Sequence, residues 1–306
     1  MYDLVIIGSG IAGITAGIYA ARKRMNYVLI CNNFGGQFME SGEILNYPGI
    51  MQTTGVDFAE TIRKQAEFNE VNMVEGEEVK NIVKIDNDNY KITTGKLTYE
   101  TRAIIIATGA RPRMLNVPGE KEFKNKGVFY CAVCDGPLFL NKNVAVIGGG
   151  DSALDAADFL LNIASKIYII NNNKEFKAHE YLQERVKGHD KTEVILGAET
   201  KEIIGDKFVT GLKYIQGGNE QDVKQIDVDG IFIEIGRVPN TEFAKWLLEI
   251  DEHGHINIDE GCYTSMPGIF AAGDCASGHE YQYVIAAGQG CISLLKAARY
   301  LAKKKG

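Results

Sequence analysis

Two cysteines separated by two residues form the most chemically informative pattern in this chain. They are the first and fourth residues of the stretch Cys131–Asp135, which lies between two glycine-rich segments beginning at Gly8 and Gly148. Loops rich in glycine at this spacing bind dinucleotide phosphates. A dithiol between two such loops indicates electron transfer from a bound cofactor to a disulfide.

Zinc binding is the alternative interpretation of a C-x-x-C pair. A tetrahedral zinc ion needs four ligands, and the five histidines of the chain form no ligand pair with the cysteines. The remaining cysteines are scattered singly, at Cys31, Cys262, Cys275 and Cys291. We therefore expect a redox dithiol and no metal site.

The first glycine-rich segment has the form G-x-G-x-x-G. Gly8, Gly10 and Gly13 follow an apolar run at 4–7, and a helix is predicted over 14–24 and a strand over 26–30. In that context the glycines allow a tight turn, close approach of a pyrophosphate and close helix packing. Cys31 stands where an acidic residue usually holds the ribose, so the backbone or the asparagine amides that follow must replace it.

The second glycine-rich segment repeats this arrangement. Gly148, Gly150 and Ala153 follow an apolar run at 144–147, and a helix is predicted to about residue 163, followed by a strand at 166–170. Two such units predict an α/β protein with two Rossmann-like dinucleotide-binding domains. No third nucleotide loop follows residue 240, where a strand instead runs into a turn that ends in Asp274.

In this order, the motifs resemble those of the low-molecular-weight thioredoxin reductase family over nearly the whole chain. The resemblance implies an FAD-binding domain formed by residues 1–113 and 242–306. It also implies that a nicotinamide-type domain at 114–241, carrying the dithiol, is inserted into it. Both crossings contain proline and glycine, as interdomain linkers do. The other matching segments are 35–37, 46–49, 107–109, 236, 239–241 and 271–274.

The same resemblance assigns the site residues. Cys131 and Cys134 are the catalytic pair, with Cys134 nearer the flavin, and Asp135 exchanges protons with the leaving thiol. Taken alone, Asp135 before a Gly-Pro pair also fits a plain turn residue. The implied FAD-binding residues are Gly8, Gly10, Gly13, Gly36, Gln37, Asn46, Thr108, Gly109, Asp274 and Gln282. Those of the second nucleotide loop are Gly148, Gly150 and Ala153.

Composition excludes several other classes of protein. A formal net charge of −7 argues against nucleic acid as a partner, and no apolar run approaches the length of a membrane span. The first strand begins close to Met1, which leaves no room for a secretory signal and predicts a cytoplasmic protein.

The resemblance implies a homodimer that acts on thioredoxin or a thioredoxin-like protein. A reductase of another dithiol protein and a non-catalytic flavin redox sensor are the alternatives.

The electron donor stays open, because the chain departs from the family around the nicotinamide. NADPH-using members have His-Arg-Arg where this chain has 171–173, all asparagine, and Lys177 replaces a further arginine. Asp155 lies where those members have paired glutamates, and Tyr281 replaces an arginine. Loss of the arginines removes bidentate contacts to the 2′-phosphate. We therefore expect no strong preference for NADPH over NADH, and reduced ferredoxin is an alternative donor.

Overall fold

The chain divides into two compact units. Unit 1 comprises Met1–Arg111 and Val238–Gly306, and unit 2 comprises Pro112–Arg237, so unit 2 is inserted into unit 1. The computed structural model describes residues 1–41, 43–86, 89–278 and 280–304. No helix in the described part of the chain combines the length and the hydropathy that a membrane span requires.

Two short strands mark the crossings between the units. β9 (Ala110–Pro112) leads out of unit 1, β18 (Arg237–Pro239) leads back, and the two strands pair with each other. The boundaries proposed from the sequence, 113/114 and 241/242, lie two and four residues further along the chain. The difference at the second crossing arises because the Asn240 side-chain amide already donates to the carbonyl of Thr108 in unit 1, at 2.9 Å.

Unit 1 is built on a largely parallel sheet with the order β5-β2-β1-β8-β7-β6, and β19 also pairs with β8. Its strands β1, β2 and β8 are almost continuously apolar where they pair, as expected for strands buried on both faces. The strands of this unit are β1 Tyr2–Ile7, β2 Tyr27–Cys31, β3 Glu43–Ile44, β4 Thr53–Thr54, β5 Met73–Glu75, β6 Val79–Lys84, β7 Tyr90–Thr94, β8 Thr98–Ile106 and β19 Ile269–Ala271. Its helices are α1 Ile11–Arg22, α2 Gly55–Phe68 and α6 Tyr283–Lys303.

Two helices of unit 1, α1 and α6, cross at very short distance. A Cβ atom on Gly290 of α6 would lie 2.1 Å from the carbonyl oxygen of Ala12 on α1, so only glycine fits at this crossing. Helix α1 starts at Ile11, three residues before the predicted position, because the extended Gly10 caps it directly after the turn. The crossing places Gly290 of α6 beside the first turn of α1.

Unit 2 contains a parallel sheet with the order β10-β17-β11-β12-β13. Helices α4 and α5 contribute to the apolar cluster on one face of this sheet, and an antiparallel sheet of β14, β15 and β16 covers the other. The strands are β10 Val128–Phe129, β11 Asn143–Ile147, β12 Lys166–Asn171, β13 Thr192–Leu196, β14 Ala198–Gly205, β15 Val209–Gln216, β16 Val223–Asp227 and β17 Gly230–Ile233. The helices are α3 Ala132–Asp135, α4 Asp151–Leu160 and α5 Glu180–Lys187.

The crossing of α1 and α6 predicts the effect of adding a single methyl group. Gly290→Ala should lower the free energy of unfolding by about 1–3 kcal/mol, because the added carbon must push two backbones apart. Urea denaturation measures this difference. Gly288→Ala, on the same helix, is the matched control, since no described atom lies within 4 Å of its Cβ position. Equal stability of the two variants would contradict the close packing of the helices.

Candidate functional site

The glycine loop of unit 1 leaves the amino end of α1 open. A Cβ on Gly8 would lie 2.2 Å from the carbonyl oxygen of Ala107, and one on Gly13 would lie 1.9 Å from that of Gly8. By contrast, no described atom lies within 4 Å of a Cβ position on Gly10, and no described side chain caps the helix. The free N–H groups of the first helical turn therefore fit a pyrophosphate, as a dinucleotide cofactor requires.

Two predicted residues from distant parts of unit 1 lie beside this loop. The Cβ position of Gly36 is 3.5 Å from the Cα of Gly10. The Cβ position of Gly273, which immediately precedes the half-buried Asp274, is 3.2 Å from the side chain of Ala12 on α1. The loop, the turn after β2 and the turn after β19 thus meet at one edge of the sheet, where ligands of open α/β sheets bind.

The other predicted FAD-binding residues form two further groups of contacts in unit 1. The side-chain amide of Asn46 donates to the carboxamide oxygen of Gln282 at 3.3 Å. The amide of Gln37 donates to the carbonyl of Ala110, and the hydroxyl of Thr108 donates to the carbonyl of Asn240. Gly109, between these two contacts, has open space at its Cβ position, with no described atom within 4 Å.

The second glycine loop, in unit 2, has the same local geometry as the first. A Cβ on Gly148 would lie 2.2 Å from the carbonyl oxygen of Glu234, whereas that of Gly150 meets no described atom within 4 Å. Gly150 precedes α4 without a side-chain cap among the described residues, and Ala153 is fully buried in its first turn. This loop can therefore also accept a pyrophosphate.

The segment after β12 folds back onto this second loop. Asn171 is only 2% exposed, and its amide donates to the carbonyl of Glu175 at 2.9 Å while its oxygen accepts from the backbone of Asn173. The backbone N–H of Lys177 donates to the carbonyl of Gly149 at 2.8 Å. The first asparagine of the triplet thus shapes its own turn. Exposed asparagines and lysines, rather than arginines, face the solvent around it.

The C-x-x-C cysteines form a disulfide at the start of α3. Cys131 immediately precedes this four-residue helix, Cys134 is its third residue, and their Cα atoms are 5.3 Å apart. Both cysteines are partly exposed, whereas Cys31, Cys262 and Cys275 are buried. Within the described residues, no group of three His, Cys, Asp or Glu side chains is arranged to hold a metal ion.

Asp135 ends the dithiol helix and is buried. Its side chain is 6% exposed, and its Oδ1 atom has no hydrogen-bond partner among the described residues. Burial raises the pKa of this carboxyl group to about 7, because the charged form loses its hydration. A plain turn residue would lie in water, so the position of Asp135 favours a role in proton transfer near neutral pH.

A second carboxyl group, which the sequence did not single out, lies close to the disulfide. Glu234 follows β17, and its Oε1 atom accepts a hydrogen bond of 3.2 Å from the backbone of Ala132. Desolvation raises the pKa of Glu234 to about 8; this hydrogen bond and Arg237 act against the rise, and Asp135 adds to it. The sequence feature that could have indicated Glu234 is its charge: it lies between Ile233 and Ile235, at the carboxyl end of a buried parallel strand.

Comparison with known proteins agrees with this geometry. A family model described as pyridine nucleotide-disulphide oxidoreductase matches residues 2–290. The chain belongs to this family. The thioredoxin reductase of Streptococcus pyogenes has a TM-score of 0.92 and 36% sequence identity, and the match covers 99% of both chains. The predicted α/β fold and the resemblance to thioredoxin reductases are therefore confirmed.

Two curated relatives carry other names. A protein named NADH dehydrogenase from Bacillus subtilis is 38% identical over 300 residues, which are 98% of this chain and 58% of the relative. One component of the alkyl hydroperoxide reductase of Escherichia coli is 37% identical over 308 residues, 99% of this chain and 59% of the relative. The chain therefore spans less than three fifths of their length.

Family membership establishes the class of chemistry. Members of this family are flavin-dependent oxidoreductases, and the cofactor of this chain is FAD. The open amino end of α1 at Gly10, with Gly36 beside it, fits the pyrophosphate of that cofactor.

Burial of Asp135 predicts a pH-dependent cost in stability. The pKa in the folded protein, about 7, exceeds the unfolded value, so the folded state holds this proton more tightly. Stability should then fall as pH rises from about 4 to about 7, by up to about 4 kcal/mol. In Asp135→Asn this loss should disappear, so the variant should gain stability relative to the wild type at pH 8.

Urea denaturation of the oxidised protein at pH 5 and pH 8 measures this difference. Asp206→Asn, an exposed position in the same unit, is the control and should leave the pH dependence unchanged. A wild type and an Asp135→Asn variant with parallel pH profiles would show that the carboxyl group is well solvated in the folded protein.

Proposed function

We propose that the chain is a thioredoxin reductase that passes electrons through Cys131 and Cys134 to thioredoxin or a thioredoxin-like protein. The observation that carries this proposal is the partly exposed disulfide at the start of a short helix that ends in the buried Asp135. Bound FAD, once reduced by the electron donor, would supply the two electrons that reduce the disulfide. The residues Gly8, Gly10, Gly13, Gly36, Gln37, Asn46, Thr108, Gly109, Asp274 and Gln282 hold this cofactor in the proposal.

The protein groups of unit 2 then carry out thiol–disulfide exchange. A thiolate attacks one sulfur of the partner's disulfide and forms a mixed disulfide, which the second cysteine resolves. Each thiolate that leaves must gain a proton, and each thiol that attacks must lose one. Asp135, whose pKa is raised to about 7, can hold and release that proton at neutral pH. A protein that only binds flavin would need neither the dithiol nor this carboxyl group.

In our proposal the enzyme does not select NADPH over NADH as its electron donor. Gly148, Gly150 and Ala153 form an open phosphate loop, which supports binding of a pyridine nucleotide. The exposed side chains of Asn172 and Asn173 bond to each other and offer no cation to a 2′-phosphate. The alternative is a nicotinamide-independent enzyme that takes its electrons from reduced ferredoxin.

The partner, assembly and location belong to the same proposal. We propose a homodimer that acts in the cytoplasm, since a catalytic dithiol works where cellular thiols are kept reduced. Another dithiol protein is the second candidate substrate. It is supported by the 37% identity to a relative named for alkyl hydroperoxide reduction. Activity assays with thioredoxin and with a disulfide-containing peroxidase as acceptors distinguish the two.

Loss of either redox cysteine tests the proposed route of the electrons. Cys131→Ser and Cys134→Ser should each reduce thioredoxin-reducing activity to background, because exchange needs both sulfur atoms. Flavin absorbance should persist, since these residues lie outside the unit that carries the Gly8–Gly13 loop. Cys291→Ser, a partly exposed cysteine on α6, is the control and should keep full activity. Steady turnover in either of the two cysteine variants would contradict the route.

New arginines at the nucleotide loop test the donor. Wild-type protein should use NADPH no more than about tenfold better than NADH, because the arginine contacts are lost. The double change Asn172→Arg and Asn173→Arg should lower the KM for NADPH about tenfold or more and leave that for NADH nearly unchanged. Anaerobic flavin reduction with NADPH, NADH and reduced ferredoxin, each tested separately, provides the measurement.

A double change of Asn219 and Gln221 to arginine is the matched control, because it adds the same charge at exposed positions of unit 2. It should leave both KM values unchanged. Rapid and selective reduction of the wild type by NADPH would contradict our interpretation of the asparagines. Reduction by ferredoxin alone, before and after the double change, would favour the nicotinamide-independent alternative.

A further inference from the structure

Glu234 contacts both functional elements of unit 2. Its backbone N–H donates to the carbonyl of Ile147 at 2.8 Å, and its carbonyl oxygen is the atom that a Cβ on Gly148 would meet. Its carboxyl group accepts the 3.2 Å hydrogen bond from Ala132, the first residue of the dithiol helix. One residue therefore joins the end of the strand before the second glycine loop to the start of the helix that carries the disulfide.

Three phenylalanines lie on the elements that flank the dithiol helix. Phe129, Phe139 and Phe232 pack against one another with ring centroids 5.4–6.0 Å apart. Asp135 is 6% exposed and leaves one carboxyl oxygen without a hydrogen-bond partner among the described residues. Two neighbouring carboxylates in such surroundings cannot both ionise without a large electrostatic cost. The charge of Asp135 raises the pKa of Glu234, so ionisation of one group disfavours ionisation of the other.

We propose that Glu234 is a positioning residue of the dithiol site. It anchors the helix through Ala132 and is electrostatically coupled to Asp135. Through both effects it sets the pH at which the reduced cysteines become thiolates. This inference rests on the proposed function, because it assumes that the disulfide is reduced and re-formed in each turnover. Two-electron reduction by the flavin cleaves the S–S bond and gives two thiolates. Transfer of one proton from the carboxyl pair to one of these thiolates then gives one thiol and one thiolate, and it converts one carboxyl group into a carboxylate.

The electrostatics of the pair agree with this role. Desolvation raises the pKa of Asp135 to about 7 and that of Glu234 to about 8. The pair therefore releases its protons in two steps over the range in which thiols also titrate. The charged groups that act on Glu234 are Asp135 on the dithiol helix and Arg237 beyond the strand end. The net charge beside the cysteines thus changes between neutral and moderately alkaline pH.

Alkylation of the reduced cysteines tests the proposal directly. The protein is reduced with excess dithiothreitol, freed of reductant, and treated with iodoacetamide between pH 5 and pH 10. Mass spectrometry follows the labelling of Cys131 and Cys134. In Glu234→Gln the amide oxygen can still accept from Ala132, but the charge is gone. The midpoint of the rate profile should shift to lower pH by about half a unit or more, since one negative charge near the thiolate is removed.

A matched control separates this charge effect from a general one. Glu184→Gln removes an exposed carboxylate on α5 of the same unit and should leave the midpoint unchanged. The change Glu234→Gln made in an Asp135→Asn background should give a different shift from that in the wild type, because the two groups share charge. Identical profiles for the wild type and Glu234→Gln, or strictly additive shifts, would overturn the proposal.

The alkylation assay needs neither an electron donor nor a partner protein, so its outcome is independent of the proposed function. A shifted midpoint in a protein that reduces no thioredoxin would support the role of Glu234 and refute the proposed function. A protein that reduces thioredoxin but shows an unshifted midpoint in Glu234→Gln would support the proposed function and refute the role of Glu234.

Discussion

Both units depend on one kind of contact, the approach of a glycine to a neighbouring backbone carbonyl at the carboxyl end of a parallel strand. Gly8 meets Ala107 in this way and Gly148 meets Glu234, and in each case a Cβ would lie 2.2 Å from the oxygen. The contact turns the chain sharply into a helix whose first N–H groups stay free for a phosphate. In unit 2 it also determines where residue 234 lies, and so where its carboxyl group can reach.

Local patterns were sufficient to predict the elements around both glycine loops, because each loop and its flanking strand and helix are adjacent in sequence. The limits of α1 shifted by a few residues, since Gly10 rather than a side chain begins the helix. The contact of Asn46 with Gln282 and that of Glu234 with Ala132 join residues more than a hundred positions apart. No periodicity indicates such pairs; the resemblance to a family assigned Asn46 and Gln282 to the same cofactor but predicted no contact between them.

The dithiol helix shows a balance between stability and reactivity. An apolar cluster that includes Phe129 and Phe232 stabilises unit 2, and Asp135 is buried on the short helix beside it. Each carboxyl group would be cheaper to hold at the surface, where it would stay ionised and could not deliver a proton at neutral pH. The same burial therefore lowers the stability of the fold as pH rises from about 4 to about 7, and it keeps a proton available beside the sulfur atoms.

The pairing of β9 with β18 has a consequence for the way such a chain is assembled. Because these strands pair, the two ends of unit 2 lie side by side, and closing the remainder of the chain across this point costs little loop entropy. Unit 1 can thus accept or lose the whole of Pro112–Arg237 without a change in its own strand order. The redox disulfide belongs to this inserted unit. Gene fusion or recombination could therefore exchange the whole unit for a different one without rebuilding the sheet around the Gly8–Gly13 loop.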